Sequence, residues 1–296
     1  MKNILVSGAS GFLGKALISR LLESGFNVIG ISRSDCGLQN KNLRFIKADI
    51  SDYKKLHLAV KSIKKIDCFV HLAASIYYGD DAKDNEEMVA TNVLGTYNAI
   101  RLAKEKRIKS FIYASSMSAY KVGGIATETT APNPESLYGA TKLAPEFFSG
   151  QISNQCKTYI LRFSGLYGPK RDSGIIYKIA NAYANNKIFD LGQDGQDKWN
   201  PLYIDDAVNS IIFFIKSNNK NPSGIYNVGL DSKVSIRDIN NILVKITGKK
   251  LVKFSDKKSS LDFFMRVDKI KKSGFRFENI EKSINKFYQY LRGEKT

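Results

Sequence analysis

Short apolar runs alternate with amphipathic stretches through the first half of the chain. Runs of this kind, bounded by polar residues or glycine, are typical of buried strands. We predict strands at Asn3–Ser7, Asn27–Ser32, Leu43–Lys47, Cys68–Leu72, Ser110–Ala114 and Thr158–Phe163. The amphipathic stretches between them predict helices at Phe12–Glu23, Lys83–Lys106 and Tyr138–Ser149. Apolar strands that alternate with helices predict an α/β fold, with a doubly wound parallel sheet covered by helices on both faces.

The regular alternation breaks after about Pro169 into shorter, mixed pieces. The pattern there predicts helices at Ser173–Asn185, Asp205–Lys216, Ser235–Thr247 and Asn279–Leu291, and a strand at Gly224–Val228. Glycine and polar residues separate these pieces. We therefore expect a main domain over residues 1–168 and a small lobe over residues 169–296, with some segments of the lobe returning to the main sheet.

A glycine-rich loop, GASGFLG at Gly8–Gly14, joins the first predicted strand directly to the first predicted helix. Gly8 permits a tight turn, Gly11 lets the backbone approach a pyrophosphate, and Gly14 lets the helix pack near the strand. The backbone N–H groups at the helix start favour phosphate. A purely structural turn is the alternative, but the strand–turn–helix setting favours a dinucleotide site.

The end of the second predicted strand bears on the choice of dinucleotide. It reads Ile31-Ser32-Arg33-Ser34, where an acidic residue would bind the ribose hydroxyls of NAD. Arg33 offers a charge-assisted partner for a 2′-phosphate, and a solvated surface arginine is the alternative. Asp49, after the third predicted strand, could accept from the adenine amino group or cap the next turn. We expect NADP (NADPH) to be preferred, with NAD possible.

A serine, a tyrosine and a lysine further along the chain suggest proton transfer. Ser116 follows a predicted strand, and Tyr138 and Lys142 lie one helical turn apart on one face. A free phenol titrates near about 10, and a neighbouring cation lowers that value. We expect Tyr138 to supply a proton to a carbonyl oxygen held by Ser116, and Lys142 to support Tyr138 and bind the nicotinamide ribose. An ordinary helix surface is the alternative for Tyr138 and Lys142.

Taken together, these motifs resemble the extended short-chain dehydrogenase/reductase family, of the NAD-dependent epimerase/dehydratase type. The resemblance runs from residue 1 to about residue 230. It includes, besides GASGFLG, the segments HLAA at His71–Ala74, NVLGT at Asn92–Thr96, SSMSAY at Ser115–Tyr120, YGATK at Tyr138–Lys142, RFSGLYGP at Arg162–Pro169, YIDD at Tyr203–Asp206 and GIYNVG at Gly224–Gly229. It implies a Rossmann-type sheet, a C-terminal substrate-binding lobe, frequent homodimers and often nucleotide-sugar substrates.

The resemblance also implies roles for individual residues. It makes Ser116 the substrate-facing hydroxyl, gives Asn92 the positioning of the active-site helix, and makes His71 a packed residue rather than a catalyst. The expected cofactor-binding residues are Gly8, Ser10, Gly11, Phe12, Leu13, Gly14, Ser32, Arg33, Asp49, Ile50, Leu72, Ala73, Ala74, Asn92, Tyr138 and Lys142. The expected substrate-binding residues are Ser75, Ser116, Tyr138 and Gly165.

The chain departs from the family pattern at three places. Gly165 stands where many members have an asparagine that contacts the substrate diphosphate, and Trp199-Asn200-Pro201 stands where many carry Arg-Asp-Phe. The usual diphosphate contacts are therefore not assigned. Met117 and Ser118 stand where dehydratases of the family place an Asp-Glu pair, so the chain lacks the acid and base that eliminate water.

The expected reaction follows from the expected cofactor. Steady reduction draws on free NADPH, so we expect NADP-dependent reduction of a keto group, the 4-keto group of a (6-deoxy) sugar nucleotide. One alternative is a sugar-nucleotide 4-epimerase that uses bound NAD. A reductase of a small non-nucleotide carbonyl is another. A non-catalytic, dinucleotide-sensing or RNA-associated protein is the alternative from a different class, and only the basic charge supports it.

The formal net charge is +18, with a sequence pI near 9.6. Lysine greatly outnumbers arginine and is spread over many predicted helices, which favours biased composition over a nucleic-acid surface. No zinc-finger spacing, aromatic RNP-like strand or glycine-clamped KH loop accompanies the charge. We expect no nucleic-acid partner, although a basic surface helps attract an anionic cofactor and substrate.

Compartment and metal content follow from simpler features. No apolar run approaches the roughly 20 residues that span a bilayer, and the N-terminus has no signal-peptide core. We expect a cytoplasmic protein with no membrane partner. The cysteines, Cys36, Cys68 and Cys156, are scattered without a CxxC pair or a nearby histidine, which predicts reduced structural thiols and no metal site.

Overall fold

The computed structural model describes residues 2–77, 81–217 and 220–294. The chain divides into two compact units. The first comprises Met1–Lys121, Ala131–Phe163 and Val208–Tyr226, and the second comprises Val122–Thr130, Ser164–Ala207 and Asn227–Thr296. The first unit therefore includes a segment from the C-terminal half of the chain, and the second unit includes a short segment, Val122–Thr130, from the N-terminal half.

The elements are numbered in chain order. The strands are β1 (Asn3–Ser7), β2 (Asn27–Ser32), β3 (Leu43–Lys47), β4 (Cys68–His71), β5 (Ser110–Ser116), β6 (Gly124–Ala126), β7 (Lys157–Phe163), β8 (Leu166–Tyr167), β9 (Phe189–Asp190), β10 (Lys198–Trp199), β11 (Leu202–Tyr203), β12 (Gly224–Val228), β13 (Val234–Ser235), β14 (Val252–Lys253) and β15 (Phe263–Met265). The helices are α1 (Phe12–Glu23), α2 (Tyr53–Val60), α3 (Ala82–Val89), α4 (Gly95–Glu105), α5 (Leu137–Gly150), α6 (Ile175–Ala184), α7 (Ile204–Lys216), α8 (Ile236–Thr247), α9 (Asp268–Lys272) and α10 (Ile280–Leu291).

A seven-stranded sheet, in the order β12-β7-β5-β4-β1-β2-β3, forms the centre of the fold. β1 pairs in parallel with both β2 and β4, so Ser7 lies opposite Ile31 on one side and His71 on the other. β5 pairs in parallel with β4 and β7. The strand order changes direction between β1 and β4, which is where open α/β sheets bind their ligands. The sheet confirms the predicted Rossmann-type α/β fold.

The core of the first unit lies between the sheet and the helices α2, α4 and α5. Leu5, Phe69 and Phe111 from the strands are fully buried there, and Leu56 and Leu102 from the helices pack into the same cluster. Each such side chain contributes about 1.5–3 kcal/mol when it leaves water. This packing holds the carboxyl ends of the strands at one edge, where the predicted site residues lie.

The second unit has its own core and small sheets. β8 pairs in parallel with β11, and the Tyr167 hydroxyl hydrogen-bonds the Ser283 hydroxyl at 2.6 Å. Helix α8 begins with a capping box between Ser235 and Asp238 and ends at Gly248, whose φ is 71°. The side-chain amide of Asn200 is buried and donates to the carbonyls of Leu230 and Met265, so the asparagine holds two segments of this unit together.

Three features of the helices differ from the expectation, because α2 and α9 were not predicted and one predicted helix is interrupted. Helix α2 spans only eight residues, of which only Leu56 and Val60 are buried, so its apolar periodicity is weak. The predicted helix Lys83–Lys106 is interrupted, because a π-helical turn at Ala90–Leu94 joins α3 to α4. Such turns occur often at functional sites, and this one carries Asn92.

Candidate active site

The glycine loop adopts a backbone that requires glycine. Gly8 has a φ of 72°, and a Cβ on it would lie 2.7 Å from the backbone nitrogen of Ala73. A Cβ on Gly14 would lie 2.0 Å from the carbonyl oxygen of Gly8. Any larger residue at either position would push the loop away from β4 or helix α1 away from β1. The loop therefore presents bare backbone at the start of α1.

A cleft of about 170 Å³ opens beside this loop. Helix α1 begins at the cleft with Gly11 as its N-cap and has no acidic residue in its first turn, so its N–H groups and dipole favour an anion. Predicted residues that line the cleft are Gly8, Ser10, Gly11, Ser32, Arg33, Asp49, Ile50, Leu72, Ala73 and Ala74. Ser7, Ile31, Ser34, Ala48 and Thr91 also line it and were not predicted.

The other predicted cofactor residues have different positions. Phe12, Leu13 and Gly14 lie in the first turn of α1, and Asn92, Tyr138 and Lys142 lie on helical segments outside the lining of the described cleft. The edge of the cleft at β2 is held by hydrogen bonds. The Ser32 hydroxyl donates to the Ser34 carbonyl, and the Ser34 hydroxyl donates to that of Ser10 at 3.0 Å. The cleft thus lies among the residues that the sequence predicts for the adenosine and pyrophosphate parts of a dinucleotide.

Arg33 does not stand alone at the end of β2. Its Nη1 donates to Glu87 Oε1 on α3 at 2.7 Å, and the Ser75 hydroxyl donates to the same oxygen at 3.3 Å. This hydrogen bond, which Arg33 donates, lowers the pKa of Glu87 and raises the pKa of Arg33. Asp49 accepts from the backbone and hydroxyl of Ser51, so it caps a turn while also lining the cleft.

Helix α5, which carries Tyr138, packs against the turn that follows Ser116 at the end of β5. Ser116 is the last residue of β5, and its hydroxyl accepts from the Ser118 N–H at 3.1 Å. A Cβ on Gly139 would lie 2.2 Å from the Ser118 carbonyl oxygen, so α5 touches the turn that follows Ser116. Tyr138 precedes Gly139 and is half-buried.

Lys142 lies one turn further along α5 and is only 3% exposed. Its Nζ lies 4.5 Å from the centre of the Tyr113 ring, and the Tyr113 hydroxyl donates to the Lys142 carbonyl at 3.0 Å. Burial lowers the pKa of Lys142 to about 7, and the charge of Glu146 opposes that shift. The ammonium group of Lys142, one helical turn from Tyr138, therefore titrates near neutral pH.

Sequence reasoning missed a buried ion pair beneath these residues. Glu146 accepts from Arg162 Nη2 at 2.6 Å and from the Ser115 hydroxyl at 2.5 Å, and the two charged side chains are 4% and 2% exposed. The guanidinium of Arg162 also stacks on the Tyr120 ring. A lone arginine in an apolar strand was the available signal, because a buried charge requires a partner. The pair ties α5 to β5 and β7.

Asn92 connects the site to the loop after β4. Its side chain accepts from the Ser75 N–H at 2.8 Å and donates to the Ser75 carbonyl and to the Thr141 hydroxyl on α5. His71 is buried and bonded to Ser7 and Thr96, and burial lowers its pKa to about 3. His71 is thus a neutral packing residue, as predicted, and Asn92 contacts the helix that the resemblance assigned to it.

Gly165, the remaining predicted substrate-binding residue, and Trp199, which departs from the family pattern, lie in the second unit. A Cβ on Gly165 would lie 3.9 Å from Trp199 Nε1, so the indole stands beside the glycine within this unit. Met117 and Ser118 form the short helical turn after Ser116 in the first unit. Across the described residues, no cluster of histidine, cysteine and acidic side chains could hold a metal ion.

The described part of the chain contains no helix both long and apolar enough to cross a membrane. The three cysteines, all within the described ranges, are free and buried. Burial raises the pKa of the Cys68 thiol to about 12, so it is unreactive at neutral pH.

Comparison with known proteins agrees with this geometry. The model of the NAD dependent epimerase/dehydratase family matches residues 4–229. The dTDP-D-glucose 4,6-dehydratase of Dictyostelium discoideum is 28% identical over 274 residues, which cover 83% of this chain and 62% of that relative. The chain thus spans less than two thirds of that protein. The UDP-glucose 4-epimerase of Mycolicibacterium smegmatis is 27% identical over 82% of each chain.

A solved structure extends the similarity to nearly the whole chain. UDP-glucuronic acid 4-epimerase from Bacillus cereus, in complex with NAD, has a TM-score of 0.80 and 26% sequence identity. The match covers 98% of this chain and 99% of that one. The similarity therefore includes the region after residue 230, for which the sequence motifs gave no support.

Proposed function

Because the chain belongs to the NAD-dependent epimerase/dehydratase family and is an enzyme of the extended short-chain dehydrogenase/reductase type, we propose that it is a sugar-nucleotide 4-epimerase that uses bound NAD. One observation supports the proposal: helix α5, which carries Tyr138 and the buried Lys142, packs through Gly139 against the turn after Ser116, in the unit that holds the glycine-loop cleft. The relatives favour this reaction over the NADP-dependent keto reduction that we expected from the sequence.

The expected preference for NADP is not supported. The Bacillus cereus epimerase binds NAD, and the guanidinium that was expected at a 2′-phosphate is already paired with Glu87. An epimerase also needs no supply of reduced cofactor, because its hydride is returned in each cycle. We therefore propose NAD as the cofactor, with the residues lining the cleft holding its adenosine and pyrophosphate parts.

The proposed chemistry assigns a role to each site residue. Bound NAD would accept a hydride from the sugar carbon and return it to the opposite face. Tyr138, as phenolate, takes the proton of the C4 hydroxyl and later gives it back to the oxygen, and Ser116 hydrogen-bonds that oxygen throughout. Lys142 holds a positive charge one turn from Tyr138, which stabilises the phenolate. Protons and hydride balance, so no external reductant is consumed.

Two residues favour epimerisation over dehydration. Elimination of water needs an acid and a base at neighbouring sugar carbons, and the turn after Ser116 offers only Met117 and Ser118. A thioether does not exchange protons, and a serine hydroxyl is a poor base without a partner that activates it. The dehydratase named among the relatives therefore shares its fold with this chain but is not expected to share its reaction.

The test is an NMR assay of UDP-glucose, UDP-glucuronic acid and dTDP-glucose, each incubated with the enzyme and NAD. The expected result is inversion at C4 in at least one of them, with the C6 substituent unchanged. A 4-keto-6-deoxy product would show dehydration instead. Steady oxidation of NADPH in the presence of a 4-keto sugar nucleotide, without any inversion, would show the reductase.

We also propose that two copies associate. Val89, Leu94, Tyr97 and Phe147 are large apolar residues, 43–67% exposed, on helical segments of the first unit between α3 and α5. Burying such residues between two copies would remove them from water. Light scattering should give twice the monomer mass for the wild type and the mass of a single monomer for Phe147→Glu. Leu58→Glu, at a similarly exposed position on α2, is the control, and a monomeric wild-type protein would contradict the proposal.

A cytoplasmic location is proposed on the state of the cysteines. All three are free and buried, as expected where disulfides are rare. Localisation of a tagged copy in the native cell tests this, and recovery from a secreted fraction would contradict it.

A further inference from the structure

The ion pair between Arg33 and Glu87 spans residues 54 positions apart in sequence. Arg33 follows β2, and Glu87 lies on α3, whose π-helical continuation carries Thr91 into the lining of the cleft. The carboxylate is fixed by more than the arginine, because the Ser75 hydroxyl donates to the same oxygen and the Tyr77 hydroxyl lies beside it. The contacts with Arg33, Ser75 and Tyr77 therefore hold the Glu87 carboxylate toward Arg33.

The sequence suggested a positive charge from Arg33 at this edge of the cleft, but carboxylates accompany the arginine. Among the described residues that line the cleft, Arg33 is the one cation and Asp49 the one anion. Both Asp49 and Glu87 act electrostatically on Arg33. Counting these three side chains, two carboxylates surround one guanidinium. Together these three side chains carry a formal charge of −1.

We propose that Glu87 is a specificity-determining residue: by occupying and neutralising Arg33, it makes the cleft prefer NAD to NADP. The inference rests on the proposed use of a dinucleotide. A 2′-phosphate at Arg33 would either displace Glu87, which would lose its cation, or lie close to that carboxylate, and both raise the free energy of binding. NAD has a neutral ribose hydroxyl at this position, so its binding carries neither of these free-energy penalties. The arginine that resembles an NADP determinant is thereby inactivated by a residue on a distant helix.

The test is the affinity of the purified enzyme for NAD⁺ and NADP⁺, measured by calorimetry for the wild type and for Glu87→Gln. The wild type should bind NAD⁺ more tightly. In Glu87→Gln the guanidinium is released, and NADP⁺ affinity should rise about ten- to a hundredfold, the factor that one hydrogen bond between charged groups represents. NAD⁺ affinity should change far less.

Two further variants separate this mechanism from general charge effects. Glu86→Gln removes the same charge from the neighbouring, exposed position of α3, and should leave both affinities unchanged. Arg33→Ala combined with Glu87→Gln should abolish the gain for NADP⁺, since the gain requires the released arginine. Circular dichroism and the melting temperature confirm that each variant is folded.

Several outcomes would overturn the inference. These are tighter binding of NADP⁺ than NAD⁺ by the wild type, a response of Glu87→Gln no larger than that of Glu86→Gln, or a gain that persists without Arg33. Failure of the folded wild type to bind either dinucleotide would overturn the proposed cofactor itself, and this inference with it. A wild-type protein that binds NAD⁺ but inverts no sugar would leave the role of Glu87 intact and remove only the proposed reaction.

Discussion

Lys142 is a cation held almost out of contact with water, against the ring of Tyr113. Burial lowers its pKa from 10.5 to about 7, although Glu146 opposes the shift. At pH values between these two pKa values, Lys142 keeps its proton in the unfolded chain and loses it in the folded chain. The unfolded state then binds more protons, so the contribution of Lys142 to the free energy of unfolding rises with pH across that range.

Lys142→Met removes the titrating group and keeps most of the side-chain volume. The stability of the wild type relative to this variant should therefore increase between pH 7 and pH 9. Urea denaturation at the two pH values measures the difference. A relative stability that stays constant, or falls, over this range would show that Lys142 is not buried as a titrating cation.

Tyr138 is the residue proposed to exchange the proton with the sugar oxygen. Tyr138→Phe keeps the ring and its packing but removes the hydroxyl. NAD affinity should survive, and turnover should fall by roughly the 10²–10⁴ that general acid–base catalysis contributes. Steady-state kinetics together with calorimetry measure the two effects separately. A variant that turns over at the wild-type rate would place the proton transfer elsewhere.

At the scale of elements, the position of α5 depends on one glycine. Gly139→Ala places a Cβ 2.2 Å from the Ser118 carbonyl oxygen, so the helix must move away from the turn that follows Ser116. We expect a loss of about 1–3 kcal/mol in the free energy of unfolding, as for an overpacked contact, and a loss of activity. The control is Gly150→Ala at the other end of α5, where a Cβ meets no atom within 4 Å. Equal behaviour of the two variants would contradict this account.

The buried pair of Glu146 and Arg162 joins α5 to β7. Glu146→Gln leaves a buried guanidinium without its counter-charge, and should lower the free energy of unfolding by about 3–5 kcal/mol. Combining it with Arg162→Met removes both charges and should recover much of the loss. The exposed pair of Arg101 and Glu105 provides the comparison, since breaking a surface pair costs about 0–1 kcal/mol. Equal losses of unfolding free energy for the two pairs, measured by chemical denaturation, would contradict a buried ion pair between Glu146 and Arg162.

The elements that the sequence predicted best are those whose signal is local. β1, the glycine loop and α1 follow one another directly, and each has the periodicity or glycine spacing of its final structure. Helix α2 gave little signal because a short helix that buries few side chains shows weak periodicity. The pairing of Arg33 with Glu87 could not be predicted, because nothing local in either segment indicates a contact across 54 positions.

At the scale of the whole molecule, the fold and the general class of reaction follow from the order of motifs along the chain. The identity of the sugar does not. Gly165 and Trp199 replace the residues that commonly contact the substrate diphosphate, so the family pattern gives no contact to transfer at these positions. The net charge of +18 favours approach of any anionic cofactor or nucleotide sugar, and it does not distinguish among them.

In the proposed reaction, a hydride leaves C4 of a sugar nucleotide and returns to the same carbon on the opposite face. The most direct measurement uses the substrate found by the NMR assay, labelled with deuterium at C4. If the hydride returns within one catalytic cycle, the inverted product retains the deuterium at C4, with no net formation of NADH. Loss of the label to solvent, or its appearance in free cofactor, would contradict internal return of the hydride and with it the proposed epimerase.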